Sequence, residues 1–355
     1  MRPELIVAAK EFRDYLTSKR FLLLFGLLGL LTIIGAISGI SDYNSALSTY
    51  NSDLQRASTA VGGLRFNVNM PSILLIFNSY GTYIASFGML LAISMGFDMI
   101  SREREEGTLK ILLTHPVFRD QVINGKIIGA GAMIIVVLLA TFLAMVAIML
   151  FCGIVPAGDD LVRLATFFGA VLLFLLAFLA IAVMASTISK NSSMAMLIAI
   201  AIVLVGMVIP NVSSTIADTV LGEAPQMTVP GNSTMQGSGG PSFMVSEGNG
   251  TRQGTPMQMN PEFTDYYNKR NQITGIINVI SPSQDFTAIS NAITGQATGA
   301  LTGAAGNGFF VREAGRSTSL MSSLSSVWTN FLALVVMIFI GFGVSYMKFV
   351  RADVR

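Results

Sequence analysis

Long apolar runs alternate with short charged segments along this chain. Six runs contain no Asp, Glu, Lys, Arg or His: Phe21–Ile40, Ile73–Phe97, Ile127–Cys152, Leu164–Ser189, Met194–Pro210 and Val327–Met347. A hydrocarbon core about 30 Å thick takes roughly 20 apolar residues of helix, so each run predicts a membrane-spanning helix. The fifth is the shortest. The first sits where a signal peptide would, but no A-x-A-like cleavage site follows it and a charged segment precedes it, so it reads as a permanent span.

The segments between the runs differ in character. In residues 1–20, Leu5, Ala9, Phe12 and Leu16 recur at helical spacing, while Lys10, Arg13, Asp14 and Lys19 take the other side. A basic amphipathic helix beside a span predicts an element lying in the headgroup plane; covering a partner protein is the alternative. Ser41–Ser72 reads as a polar loop, residues 98–126 are the most charged part, and Lys190–Ser193 is short enough to make a tight helical hairpin.

The long segment 211–326 is mixed. Residues 222–262, rich in Gly, Pro, Ser, Asn and Met, read as irregular. Within 266–294, Ile273, Ile276, Ile277 and Ile280 form one helical stripe. Ser281-Pro282-Ser283-Gln284 then has the capping-box form, and a second helix follows with Phe286, Ile289 and Ile293 on one face. These two short helices are too polar to span; they fit re-entrant-like elements that dip into the outer leaflet or pack over helix ends. A Gly/Ala-rich stretch, 295–308, leads to the last span. Asn211-Val-Ser, Asn232-Ser-Thr and Asn249-Gly-Thr match the glycosylation acceptor pattern, one that is common by chance.

Charge placement orients the bundle. Most of the 22 Lys and Arg fall in short segments on one side: Arg2 to Arg20, Arg102 to Lys126, Lys190, and Lys348 to Arg355. That side is predicted to be cytoplasmic, with both termini on it. The chain is 52% hydrophobic and only 12% charged, where a soluble domain has about 25% charged residues. The net charge of +2 gives no sign of nucleic-acid binding. A single cysteine, Cys152, excludes an internal disulfide and a cysteine metal cluster. The expected fold is thus an all-α membrane protein: spans 1–5 within 21–210, an outward segment over 211–326, and the sixth span with a short tail over 327–355.

The loop 98–126 carries the most specific pattern. Glu103, Glu105 and Glu106 suit a helix start through the macrodipole. Leu109, Leu112 and Leu113 give a short apolar face, and Pro116 ends that helix. An apolar helix held outside the bilayer by charge reads as a docking element for a protein partner, or as an interfacial helix with a structural role. His115, the one histidine, is either part of that partner surface or an ordinary loop residue.

Glu-Arg-Glu-Glu-Gly-Thr-Leu-x-x-Leu-Leu-x-x-Pro-Val, followed by Gly-Lys at the next span, resembles the cytoplasmic loop of ABC-2-type transporter permeases. The basic amphipathic helix, the six spans, Ser281-Pro282 ahead of an aromatic, and the closing Phe349-Val-Arg-Ala-Asp-Val-Arg355 resemble that family too; residues 211–265 do not. The resemblance implies a coupling helix seated on an ATP-binding subunit. Glu105, Glu106, Gly107, Thr108, Leu109 and Leu112 would make the contact, with Arg102, Arg104 and Lys110 at its rim. It also implies two copies of the ATP-binding subunit, a second permease chain (identical or related), and export across the plasma membrane.

Energy has to come from that partner. The sequence has no Gly-x-x-x-x-Gly-Lys-Ser/Thr phosphate loop, so this chain is expected to be non-catalytic and without its own cofactor, with ATP and Mg on the partner subunit. The six runs carry no ionisable side chain of the kind that proton-coupled transporters use. An autonomous channel or sodium-coupled carrier, and a membrane-anchored ligand-binding sensor, are the rival readings. In the second run Asn78, Ser79, Tyr80, Thr82, Tyr83 and Ser86 form a polar cluster that either lines a translocation path or packs helices together. Gly35/Gly39 and Gly125/Gly129 have small-x-x-x-small spacing. The 20 methionines, Met227, Met235, Met244, Met257 and Met259 among them, suit flexible packing or Cu(I) handling.

Overall fold

The computed structural model describes residues 3–59, 71–107, 118–222, 228–229, 233–234, 261–294 and 320–351. Six helices are long and apolar enough to cross a membrane. Helix α1 (Pro3–Thr17) precedes the first of these, α2 (Lys19–Thr59). The second is composite: α3 (Leu75–Tyr83), one π turn (Ile84–Gly88), α4 (Met89–Gly96) and, after a bend, α5 (Ser101–Glu105). Then come α6 (Arg119–Phe151), α7 (Gly158–Ile188) and α8 (Ser192–Leu221). Two shorter helices, α9 (Pro261–Asn278) and α10 (Pro282–Thr294), occupy the stretch before α11 (Leu320–Ser326) and the last span, α12 (Trp328–Arg351). A two-residue antiparallel pairing, Thr228–Val229 with Ser233–Thr234, is the one sheet among the described residues.

Each apolar run falls on one spanning helix with at most two residues outside it, and each helix overruns its run at one end or both. Ser41–Ser72 is not all loop, because α2 continues to Thr59. No Gly or Pro interrupts residues 41–59, and exposed Ser48, Thr49 and Ser52 donate their hydroxyls to carbonyls one turn back. The fifth span does not stop at Pro210 either. Proline lacks the N–H that would bond the carbonyl four residues earlier, which is that of Gly206. The Ser281 hydroxyl donates to this carbonyl at 2.8 Å, so the helix keeps its polar groups satisfied and runs on to Leu221. Ser281 starts α10 through its own carbonyl, which accepts from the N–H groups of Gln284 and Asp285. Asn211 thus sits inside α8 with its amide donating to Met207 O, and Ser213 is buried, a setting unlike an exposed glycosylation loop. Asn232, Asn249 and the loop methionines lie outside the described residues.

Helix α7 forms the axis of the bundle. Its buried Phe167 and Phe174 meet Phe77 of α3 and Phe286 of α10, with ring centroids 4.7 Å apart for Phe174 and Phe286. Helix α10 therefore packs into the bundle top, with Asp285, Phe286, Ile289 and Ile293 buried. Small residues set the closest approaches. A Cβ added at Gly341 of α12 would come within 2.8 Å of Ala180 of α7, and one at Gly96 of α4 within 2.7 Å of Ala182. Gly35 and Gly39 of α2 lie against Tyr83 and Ile76 of α3, and Gly125 and Gly129 of α6 lie against α1. Both glycine pairs serve close helix packing.

Helix α1 shows two faces. Glu4, Val7, Ala8, Glu11 and Tyr15 turn toward the protein, Val7 and Ala8 against those α6 glycines. Leu5, Ile6 and Leu16 point away and are 54%, 58% and 44% exposed. Of the stripe read from the sequence, Leu5, Ala9 and Leu16 are thus outward and Phe12 is partly buried against the core, and a face containing Glu4 and Glu11 does most of the packing.

Candidate functional site

The residues singled out in the charged loop meet at α5, just before the segment 108–117. Helix α5 is short, and nearly every polar group it carries is engaged. The N–H groups of Ile100 and Ser101 donate to Ser186 Oγ of α7, both at 3.0 Å. Arg104 reaches the same turn from the other side: Nη1 donates to Ser189 O at 2.6 Å and Nη2 to Thr187 O at 3.4 Å. Those carbonyls end α7, where a cation complements the helix dipole. Glu105 accepts the Ser192 N–H at the start of α8 at 3.2 Å, a carboxylate at a helix N-terminus. Arg104 and Glu105 thus hold the α7–α8 turn within this chain.

The next residues are open. Arg102 pairs with Glu106 at 2.8 Å, one turn on, and both are exposed. Gly107 has φ +72° with nothing near its Cβ position, a left-handed conformation that ends a helix. Glu103 lies in the first turn of α5 and Glu106 follows its end, while the helix predicted to start beyond the acidic run lies outside the described residues. Thr108, Leu109, Lys110, Leu112, His115 and Pro116 lie outside the described residues.

Behind α5 is a buried ionic group that the sequence reading missed. Lys126 of α6 is 3% exposed; its Nζ lies 2.6 Å from Glu11 Oε1 of α1 and 2.8 Å from Glu103 Oε1 of α5. Beside it Tyr15 donates to Met95 O at 2.7 Å. Burial, with Glu11 and Asp98 adding to it, pushes the Tyr15 phenol well above its ordinary pKa, so it stays a donor. A cleft of about 600 Å³ opens here between α1 and α4–α5, with Lys10, Lys19, Arg20 and Arg102 on its walls. The sequence signal existed: Lys126 is the last charge before a long apolar run, and Glu11 falls between the apolar positions of α1. Only the packing of α1 against α6 brings the two together.

The polar cluster of the second span divides. Tyr80 is fully buried with its hydroxyl 3.0 Å from Thr141 Oγ1, inside the bundle. Tyr83 is half-buried against Gly35. Asn78, Thr82 and Ser86 form a row one turn apart on the outer side, the Thr82 and Ser86 hydroxyls donating to the carbonyl one turn back. Ser79 donates to Asp42 of α2 at 3.2 Å. The π turn begins at Ile84, between Thr82 and Ser86; such turns frequently mark functional positions. Among the described residues no group of His, Cys, Asp or Glu could hold a metal ion.

The profile of the family described as ABC-2 family transporter protein matches residues 5–354. The chain belongs to this family. It is thus a multi-pass membrane protein of the ABC-2 permease type. The chain is also similar to the probable ABC transporter permease protein NosY of Pseudomonas aeruginosa, 30% identical over 191 residues, 53% of this chain and 62% of that protein. The probable ABC transporter permease protein NosY of Stutzerimonas stutzeri is 33% identical over 85 residues, 24% of this chain and 29% of that protein. Both matches span less than two thirds of the relative's length. In this ABC-2 chain, α5 with Lys126, Arg104 and Glu105 lies where the loop motif begins, joined to α1, α6, α7 and α8.

Proposed function

We propose that this permease is the membrane-spanning half of an ATP-driven exporter, moved by a separate ATP-hydrolysing subunit that docks on residues 105–112. Glu105, Glu106, Gly107, Thr108, Leu109 and Leu112 form the contact, with Arg102 and Lys110 at its rim and Arg104 bracing it from within. Two permease chains and two ATPase subunits make the assembly, and ATP and Mg are bound by the ATPase. The basic end of the bundle faces the cytoplasm, the complex resides in the plasma membrane, and the outward faces of Leu5, Ile6 and Leu16 rest in the headgroup layer. The row Asn78, Thr82 and Ser86 borders the path.

The observation that carries this reading is the wiring of α5. A five-residue helix at the mouth of the motif loop is bonded directly to α6, α7 and α8 and, through Lys126, to α1, so a push on the following segment reaches much of the bundle. The chain itself has no phosphate loop. The test is a gentle-detergent pull-down of the tagged chain from its native membrane, assayed for ATP hydrolysis. An ATPase should co-purify with the unaltered chain and be lost with Glu106→Lys and with Leu109→Asp. Recovery of the chain alone, with transport intact, rejects the proposal in favour of an autonomous carrier.

A further inference from the structure

Helix α5 stands between two bodies. On one side it is bonded to the α7–α8 turn through Ser186, Arg104 and Glu105. On the other lies the pair α1–α6, drawn together so closely that Gly125 and Gly129 leave no room for a Cβ against the α1 backbone at Glu4 and Ala8. One side chain joins α5 to that pair. Lys126 presents its ammonium to Glu103 of α5 at 2.8 Å and to Glu11 of α1 at 2.6 Å.

The chemistry makes this link directional and sensitive to position. Two carboxylates share one ammonium in a place where Lys126 is 3%, Glu11 12% and Glu103 18% exposed. In such low-dielectric surroundings charge-assisted bonds are strong and fall off steeply with misplacement. Without the lysine, Glu11 and Glu103 lose their shared partner and the ionic tie between α1 and α5, and holding both charged there is disfavoured. Glycine packing would still hold α1 on α6 and the Tyr15 bond to Met95 O would still hold α1 on α4, but α5 would lose its ion pair to the α1–α6 body.

We infer that Lys126 is a positioning residue that makes α1 follow the movement of α5, so that a displacement of the docking segment divides between the α1–α6 body and the α7–α8 body. This rests on the proposed ATPase docking. Residues Leu16 of α1 and Met196 of α8 are 44% and 47% exposed, one on each body, and report on the two separately.

The experiment uses the full chain with its co-purified ATPase in lipid nanodiscs, in a Cys152→Ser background. A bimane dye is placed on Leu16→Cys in one sample and on Met196→Cys in another. ATP with vanadate should change the fluorescence at both positions in the otherwise unaltered chain. With Lys126→Met, the response at Leu16 should fall at least fivefold while that at Met196 stays within twofold, and Lys126→Arg should restore it. Glu11→Gln cuts only the α1 arm and should lower the Leu16 response at least twofold with the Met196 response kept; it decides the matter if Lys126→Met fails to assemble. An unchanged Leu16 response, an equal loss at both positions, or no rescue by arginine overturns the inference. Absence of a nucleotide response at either position in the unaltered chain overturns the docking proposal itself, and the inference with it.

Discussion

Helices α7 and α8 are neighbours in sequence, joined by the short turn that Arg104 and Glu105 hold. Both are strongly apolar over a membrane-spanning length, yet 61% of that length in α7 and 17% in α8 is buried inside the protein. Hydropathy measures willingness to leave water and does not distinguish lipid from protein as the destination. Residue size carries the other half of the information. Ala170, Ala177, Ala180, Ala182 and Ala185 let α4, α6, α8, α10 and α12 close around α7, whereas α8 has buried alanines only towards its two ends, Ala195 and Ala199 and then Ala217, and displays Leu204, Val205 and Val208 between them. A second contrast follows from the same pair. Helix α7 ends where its carbonyls meet Arg104, while α8 passes a proline because Ser281 of α10 takes the carbonyl left without a partner.

That contrast can be broken most severely at Phe174, which is fully buried against Phe178 and Phe286. Phe→Ala in a core costs about 3–5 kcal/mol in water. Here the bilayer is as apolar as the core, so the packing and cavity part, roughly 2–3 kcal/mol, should remain. Leu204→Ala on α8 should change stability by less than about 0.5 kcal/mol. Thermal unfolding in detergent, followed by tryptophan or thiol-dye fluorescence, compares the two; equal losses would show that α8 is as enclosed as α7.

Overpacking comes next. Gly341→Leu drives a side chain into Ala180 and its carbonyl, 2.8–2.9 Å away, and should cost about 1–3 kcal/mol. Gly206→Ala on α8 meets only Ser281 Oγ at 3.8 Å and should be tolerated.

A double-mutant cycle sharpens the account of the α8 proline. Ser281→Ala leaves the Gly206 carbonyl without its donor, a loss of about 1–2 kcal/mol. In a Pro210→Ala background the new N–H can reach that carbonyl, and Ser281→Ala should then cost a few tenths of a kcal/mol. Additive losses would mean that the serine and the proline act independently.

The smallest effect is one of pH. Asp285 of α10 is fully buried with one oxygen accepting from Asn330 Nδ2 at 2.8 Å. Burial raises its carboxyl to about 7, against a partial lowering by the Asn330 bond. The folded chain thus holds this proton more tightly than the unfolded one, whose Asp titrates near 3.8. Its contribution to stability is complete at acid pH and declines as pH rises towards 7. Unfolding temperature should therefore fall between about pH 4 and 7 in the parent chain. Asp285→Asn should remove that slope; a slope that survives the substitution places its origin elsewhere.

Much of this was legible in the sequence because the membrane imposes a simple rule. Charge-free runs of roughly 20 residues find all six spans, and the close glycine pairs were visible as spacings. Helix ends were harder. Ser and Thr over residues 41–59 read as loop, yet they continue α2 because their hydroxyls bond the helix's own carbonyls. Pro210 read as a terminus because its rescuer, Ser281, is far away in sequence. The motif marked the charged loop, but Arg104 read as a rim residue and Glu105 as a contact residue, whereas the structure has both bonded to the turn between α7 and α8. Lys126 read as a span-end lysine, since nothing local indicates that Glu11 and Glu103 converge on it.

Docking of a separate ATPase on the segment following α5 is the step on which the proposed function stands. Incorporating a benzophenone amino acid at Leu109 and irradiating native membranes tests it most directly. The account predicts one dominant cross-linked product, containing a protein with a phosphate loop, which is absent when the benzophenone is placed at Leu204 on α8. Cross-linking at Leu109 only to lipid, or only to a second copy of this chain, would contradict it.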